Sequence, residues 1–199
     1  MGKMSTVVTI KVVLLGNSGV GKSSIGLRFA QDRFLEEQEP TLGAAYLSKT
    51  LTHEGRRIKI NIWDTAGQER YRAMARMYYQ DAQAAILVYD ICSRESFTEL
   101  KNWHRELRDN GPAQIGTFHL AIVVAGNKSD LEDREAVSHS EAQKWAASIG
   151  ADFLRTSTRT NHNIEALFRA VLVRKGAEPN HGGEKLIPQR PAPHTGCHC

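Results

Sequence analysis

Eight consecutive residues, Gly16-Asn17-Ser18-Gly19-Val20-Gly21-Lys22-Ser23, carry the most specific chemistry in the sequence. They fit the spacing Gly-x-x-x-x-Gly-Lys-Ser/Thr, with a strongly apolar run before them and a helix-compatible run, Ser24 to Gln31, after them. These residue types suit phosphate. The glycines let backbone N–H groups turn inward, the start of the following helix adds partial positive charge, and Lys22 can reach the outer phosphates of a nucleotide. Ser23 offers a hydroxyl to Mg²⁺. A plain glycine-rich turn is the alternative, and the strand-loop-helix setting weighs against it. Ser18, Gly19, Val20, Gly21, Lys22, Ser23 and Ser24 are therefore candidate nucleotide contacts, although the motif does not specify the base.

The base is addressed further along, by Asn127-Lys128-Ser129-Asp130 after the apolar run Leu120 to Ala125. Asp130 can accept hydrogen bonds from guanine N1–H and the exocyclic amine. Adenine has no such donor pair, and the mismatch can discriminate by about 10⁴ or more. Asn127 can bond the base edge or tie this loop to the phosphate loop, and the stem of Lys128 can lie across the ring. Alone, this tetrapeptide would pass for an ordinary polar turn. A third element, Trp63-Asp64-Thr65-Ala66-Gly67-Gln68-Glu69, suits a sensor of the terminal phosphate. In it Asp64 can hold Mg²⁺ through its water, Gly67 can offer an N–H, and Gln68 can orient the attacking water. Thr41, in the loop Glu39-Pro40-Thr41, can fold back as a second hydroxyl on Mg²⁺. The metal set is thus Ser23, Thr41 and Asp64.

With four motifs in this order, the chain resembles the small Ras-type GTPases and, within them, the Rab family, over about Val7 to Val173. The resemblance implies a P-loop GTPase fold and hydrolysis of GTP to GDP with Mg²⁺, with Lys22 and Gln68 catalytic. It implies that Phe34 sits edge-on to the base and that Ser157-Thr158-Arg159 forms the last base-contact loop. The family usually has Ser-Ala-Lys there. Thr158 keeps the backbone N–H, while Arg159 can stack a flat guanidinium where lysine would lay its stem. Thr41-Leu42-Gly43-Ala44-Ala45-Tyr46, Ala66-Gly67-Gln68-Glu69-Arg70-Tyr71, Met77-Tyr78-Tyr79 and Ala82-Gln83-Ala84-Ala85-Ile86 are similar to early-endosome Rabs. Leu42, Gly43, Tyr46, Trp63 and Tyr78 are then expected at an effector surface, with Tyr46 where Phe is usual. Without the family match, three aromatics in separate segments would read as core.

The implied protein is a switch in vesicle traffic, early endosomal by subgroup, served by exchange factors (GEFs), GTPase-activating proteins (GAPs) and effectors. No arginine is assigned in cis to the transition-state charge. Turnover is expected to be slow, with acceleration of about 10³ to 10⁵ from a GAP arginine. A GTP-locked scaffold that scarcely hydrolyses is the alternative. A P-loop kinase is disfavoured by Asn127-Lys128-Ser129-Asp130 and by the absence of an arginine-rich lid.

These motifs need a scaffold, and 199 residues supply one domain plus a tail, at about 150 residues per domain. The sequence predicts an α/β fold: a six-stranded, mostly parallel sheet with one antiparallel edge strand and helices on both faces. Val7 to Leu15, Ala84 to Tyr89 and Leu120 to Ala125 are too apolar for half-exposed strands and read as central. Arg57 to Trp63 alternates, with Ile58, Ile60 and Ile62 on one side. Preceded by Ala45 to Thr52 and the turn-like His53-Glu54-Gly55-Arg56, it predicts an edge hairpin. Asp152 to Thr156 would be the sixth strand. Ser138 and Glu141 form a capping box that should open a helix ending near Gly150, and Ile164, Leu167, Phe168, Val171 and Leu172 make one apolar stripe. The GTP-binding domain is drawn as 1–173 and a flexible tail as 174–199, which holds four of the six prolines.

The balance of 26 Lys plus Arg against 22 Asp plus Glu is spread along the chain, without the basic block of a nucleic-acid binder. No nucleic-acid partner is expected. There is no apolar run long enough for a membrane span, no secretory signal, and no cysteine set for a disulfide framework, which together predict a cytosolic protein, and the resemblance implies a monomer. The ending Cys197-His198-Cys199 resembles the Cys-x-Cys on which Rabs receive two geranylgeranyl chains, and stable anchoring takes two such signals. The resemblance implies GDP-dissociation inhibitor and prenylation machinery as partners, and the cytoplasmic face of endosomal membranes, cycling with cytosol, as location. A metal site from His194, Cys197, His198 and Cys199 lacks the second half of a zinc motif. Met1-Gly2-x-x-x-Thr6 also fits the loose N-myristoylation pattern.

Overall fold

The structure is a computed structural model, and it describes residues 7–68, 72–111 and 120–175. Six strands form one sheet: β1 (Val8–Leu15), β2 (Ala44–His53), β3 (Arg56–Thr65), β4 (Ala84–Asp90), β5 (Ala121–Asn127) and β6 (Asp152–Arg155). Their spatial order is β2-β3-β1-β4-β5-β6. Every neighbouring pair is parallel except β2 with β3, so the edge hairpin and mostly parallel sheet expected from the sequence are present. In β3, Ile58, Ile60 and Ile62 are buried while their neighbours Lys59 and Asn61 are not, because successive strand residues face opposite ways.

The helices are α1 (Lys22–Gln31), α2 (Arg72–Tyr79), α3 (Arg94–Asn110), α4 (His139–Ser148) and α5 (Ile164–Arg174). They cover both faces. Val12 and Leu14 of β1 pack with Ile25 and Phe29 of α1 and with Leu167, Phe168 and Val171 of α5, where Phe29 and Phe168 stack at 3.7 Å between ring centroids. Val13 and Leu15, one residue out of phase, pack on the other face with Phe97 and Trp103 of α3 and Ala142 and Ala146 of α4. A strand buried on both sides must be apolar throughout, and this explains the continuous runs.

Two expectations need correction. Val7 and Val8 are 45% and 46% exposed, although the run was read as fully central. β4 pairs with β1 only from Val12 onward, so the start of β1 projects beyond one of its neighbours. At the start of α4, Ser138 Oγ accepts the Glu141 N–H at 3.2 Å as a cap should. The Glu141 carboxylate pairs with Arg94 rather than completing the capping box. The stripe on α5 is buried as predicted. Cys197, Cys199 and the other tail residues from 176 on lie outside the described residues, as do Met1 to Thr6.

The parallel strands β1, β3, β4 and β5 all end on the same edge of the sheet. Gly16, Asp64, Asp90 and Asn127 are therefore gathered where open α/β sheets hold ligands.

Candidate functional site

Lys22 opens α1 and is buried, with Nζ donating to the carbonyls of Gly16 at 2.9 Å and Asn17 at 2.8 Å. These bonds hold the ammonium over the loop from which it came. Burial pushes its pKa down to about 8, against the pull of Asp64. Asp64 sits at the end of β3, and burial raises its pKa while Ser23, Lys22 and Thr41 draw it back. The hydroxyls of Ser23 and Thr41 are 2.9 Å apart, and Thr41 Oγ1 donates to Asp64 Oδ2 at 3.3 Å. Asp64 Oδ1 is buried with no hydrogen-bond partner among the described residues, an uncommon and costly state for a carboxylate oxygen. Gly67 lies hard against this cluster. A Cβ there would come within 2.4 Å of Lys22 Nζ and 2.5 Å of the Ser18 nitrogen, so only glycine lets the backbone approach so closely.

The base end is built from β5 and β6. Asn127 is buried, donating from Nδ2 to the Val20 carbonyl at 2.9 Å and accepting the Thr156 hydroxyl on Oδ1 at 3.2 Å. Of the two roles open to it from sequence, the tie to the phosphate loop is formed. Gly21, at φ 97°, makes room for that tie, since a Cβ would lie 2.2 Å from Asn127 Nδ2. Ser157 Oγ donates to Asp130 Oδ1 and orients the carboxylate. Lys128 adopts φ 65° and its Nζ is 2.8 Å from Asp90 Oδ2.

A match to the Ras family model spans residues 11–175. The chain belongs to the Ras family. It is 46% identical over 193 residues to the Ras-related protein Rab-22A of Mus musculus, covering 94% of this chain and 97% of the relative. It is 48% identical over 159 residues to Rab-22A of Homo sapiens, covering 80% and 79%, and 47% identical over 164 residues to the Ras-related protein RHN1 of Nicotiana plumbaginifolia, covering 82% and 80%. As a Ras-family protein with Rab relatives it is a small GTPase that hydrolyses GTP and acts in vesicle traffic. The family generally uses Mg²⁺ with the nucleotide.

In this Ras-family chain, one cleft of about 370 Å³ runs between the two ends. Ser18, Gly19, Gly21, Lys22, Ser23, Ser24, Phe34, Thr41, Gly67, Asn127, Lys128, Asp130, Thr158 and Arg159 all line it. Val20 and Ser157 do not. They are buried behind the wall, where Val20 receives Asn127 and Ser157 holds Asp130. Gln68 follows Gly67, partly exposed and outside the lining. Sequence reasoning missed Asp90, whose position at a strand end on the ligand edge was a usable signal.

The expected effector residues also come together. Trp63 lies between Tyr46, edge-on at 5.5 Å, and Tyr78, stacked at 5.4 Å. Leu42 is 75% exposed and Tyr46 50% exposed, and Met77, next to Tyr78 in the chain, is 70% exposed. Three segments thus present one aromatic ridge next to the cleft, with Trp63 half-buried against the core and Tyr46 in solvent.

Proposed function

We propose that the cleft binds GTP and GDP with the phosphates against Gly16 to Ser23 and the guanine against Asn127, Lys128 and Asp130. In this reading the protein is a hydrolysing switch on the cytoplasmic face of early-endosomal membranes, cycling with cytosol. One observation supports it above others: Ser23, Thr41 and Asp64 converge from three segments on a carboxylate with an orphaned buried oxygen. A hydroxyl-hydroxyl-carboxylate set of this kind suits a hard cation. Ser23, Thr41 and Asp64 would hold Mg²⁺, which when bound with nucleotide supplies positive charge to the phosphate oxygens.

The chain's own groups do the rest. Lys22 keeps its proton against the phosphates, the Gly67 N–H marks the terminal phosphate, and Gln68 orients water for in-line attack. Among the described residues, Arg159 is the arginine that lines the cleft, and it belongs to the base-end loop with Thr158. We assign the transition-state charge to a GAP arginine in trans, worth about 10³ to 10⁵ in rate. The segments around Thr41 and Gly67 hold one arrangement with GTP and relax after hydrolysis, and effectors read that difference at the ridge of Tyr46, Trp63 and Tyr78 with Leu42 and Gly43.

The GTP-binding domain is residues 1–173 and the remainder a tail lipidated at Cys197 and Cys199. A GDP-dissociation inhibitor extracts the lipidated monomer from membranes, prenylation machinery prepares it, and GEFs reload it. Phosphate release from purified protein, with and without a catalytic GAP domain, tests the switch. Wild type should respond to GAP and Gln68→Leu should not. Comparable release from both would remove Gln68 from catalysis, and no response from either would favour the GTP-locked scaffold. Tagged wild type should be punctate and the Cys197→Ser, Cys199→Ser variant diffuse.

A further inference from the structure

Arg28 belongs to none of the four motifs, yet its guanidinium joins two loops on opposite sides of the cleft mouth. From α1, Nε donates to the Thr158 carbonyl at 2.9 Å and Nη2 to the Arg159 carbonyl at 3.4 Å. Nη1 reaches the carbonyl of Asp32 at 3.2 Å and its carboxylate at 3.4 Å. The Phe34 ring centroid lies 5.8 Å from the guanidinium carbon. The Arg28 side chain is only 14% exposed and its bond to the Thr158 carbonyl is part-buried, while the Asp32 carboxylate is largely in solvent. Outside the same junction, Arg159 Nη2 faces Glu36 Oε1 at 3.8 Å, with both side chains largely in solvent. A planar guanidinium carries five N–H donors in fixed directions and can grip two backbones in one set geometry, whereas an ammonium offers three donors and no rigid fork.

We propose that Arg28 is a positioning residue for nucleotide retention: it clamps the loop carrying Thr158 and Arg159 to the segment carrying Asp32, Phe34 and Glu36, and the Arg159–Glu36 pair is the outer latch. The proposal rests on a nucleotide occupying the cleft as described above. Phe34 and Arg159 both line the cleft, from the two clamped segments, so a ligand leaving by the base end must part them. Parting them breaks the bonds of Arg28 to one side. Because Arg28 grips the carbonyl of residue 158, threonine there serves the clamp as well as alanine would.

The test is release of fluorescent GDP from the full chain with Mg²⁺, chased by excess unlabelled GDP. Arg28→Gln should release GDP about tenfold faster or more, from the loss of charge-assisted hydrogen bonds, with Arg28→Lys in between. Glu36→Arg and Arg159→Glu should each speed release about two- to fivefold, and the double charge swap should return to within about twofold of wild type. Added salt should speed release from wild type and the swap, but not from either single variant. A purely structural loss would show no such coupling. Release from Arg28→Gln within twofold of wild type overturns the clamp, and additive effects in the swap overturn the latch. Should Arg28→Gln fail to fold, the exposed Glu36/Arg159 cycle decides alone. If wild type binds no guanine nucleotide at all, the cleft reading has failed rather than the clamp.

Discussion

At the base end of the cleft, the loop after β5 is fixed by its own buried side chains: Asn127 to Val20, Thr156 to Asn127, and Ser157 to Asp130. The backbone adds Ser129 N–H to the Thr156 carbonyl at 3.0 Å. At the phosphate end, the segments around Thr41 and Gly67 flank the start of β2 and the end of β3, and among the described residues they are held by fewer buried side chains. Ser24 bonds Gln38, Thr41 bonds Ser23 and Asp64, and Ala66 N–H donates to the Gly43 carbonyl at 2.8 Å, which couples the two segments to each other. The base end is complete without ligand. The phosphate end converges on a carboxylate oxygen that nothing in the described protein satisfies. In the proposed reading, a terminal phosphate and its cation have leverage on one end only, and switching is confined to the segments assigned to effectors.

Asn127→Ala should break the rigid end most severely. It strips partners from the buried Val20 carbonyl and Thr156 hydroxyl, at about 1–3 kcal/mol each. Denaturant melts should show the loss, and GDP and GTP should be released faster to the same degree. Gly21→Ala should follow, since its Cβ would meet the Asn127 amide at 2.2 Å at a φ of 97°. Strain of about 1–3 kcal/mol is expected, read as weaker binding of both nucleotides by calorimetry. Thr41→Ala acts on the other end and should separate the two nucleotides. GTP affinity should fall about fivefold or more, for the loss of a hydroxyl that bonds both Ser23 and Asp64 and is worth about 1 kcal/mol net, with GDP affinity nearly unchanged. Equal losses would show that the phosphate end is as preformed as the base end.

The smallest effect should lie away from the cleft, at His104, edge-on to Trp145 at 6.0 Å. Burial and then Arg108 lower its pKa from the usual value of 6.5, so the unfolded chain binds its proton first as pH falls. Stability from this group is present above pH 6.5 and is lost as pH drops below it. A slight decline in melting temperature from pH 7 to 5.5 should flatten in His104→Gln.

The strands and the phosphate loop were legible because each is written in contiguous residues. Burial on both faces demands an unbroken apolar run, and the loop chemistry demands glycines at fixed offsets. The exposure of Val7 and Val8 was not legible, since it depends on where β4 begins to pair. Asp64 and Thr41 could be proposed from their motifs, but the orphaned Oδ1 that gives them meaning emerges only when three segments meet. The choice between roles for Asn127 likewise depended on the position of the Val20 carbonyl. The reach of Arg28 to Thr158 and Arg159 was not legible, because those partners are backbone carbonyls 130 or so residues away and any sequence presents carbonyls.

Hydrogen exchange on protein loaded with GDP and with a non-hydrolysable GTP analogue tests the division between the two ends most directly. Protection should rise with the analogue across 36–43 and 66–68, and stay the same at 127–130 and 156–159. Equal changes at both ends, or none at either, would contradict a switch confined to the phosphate side.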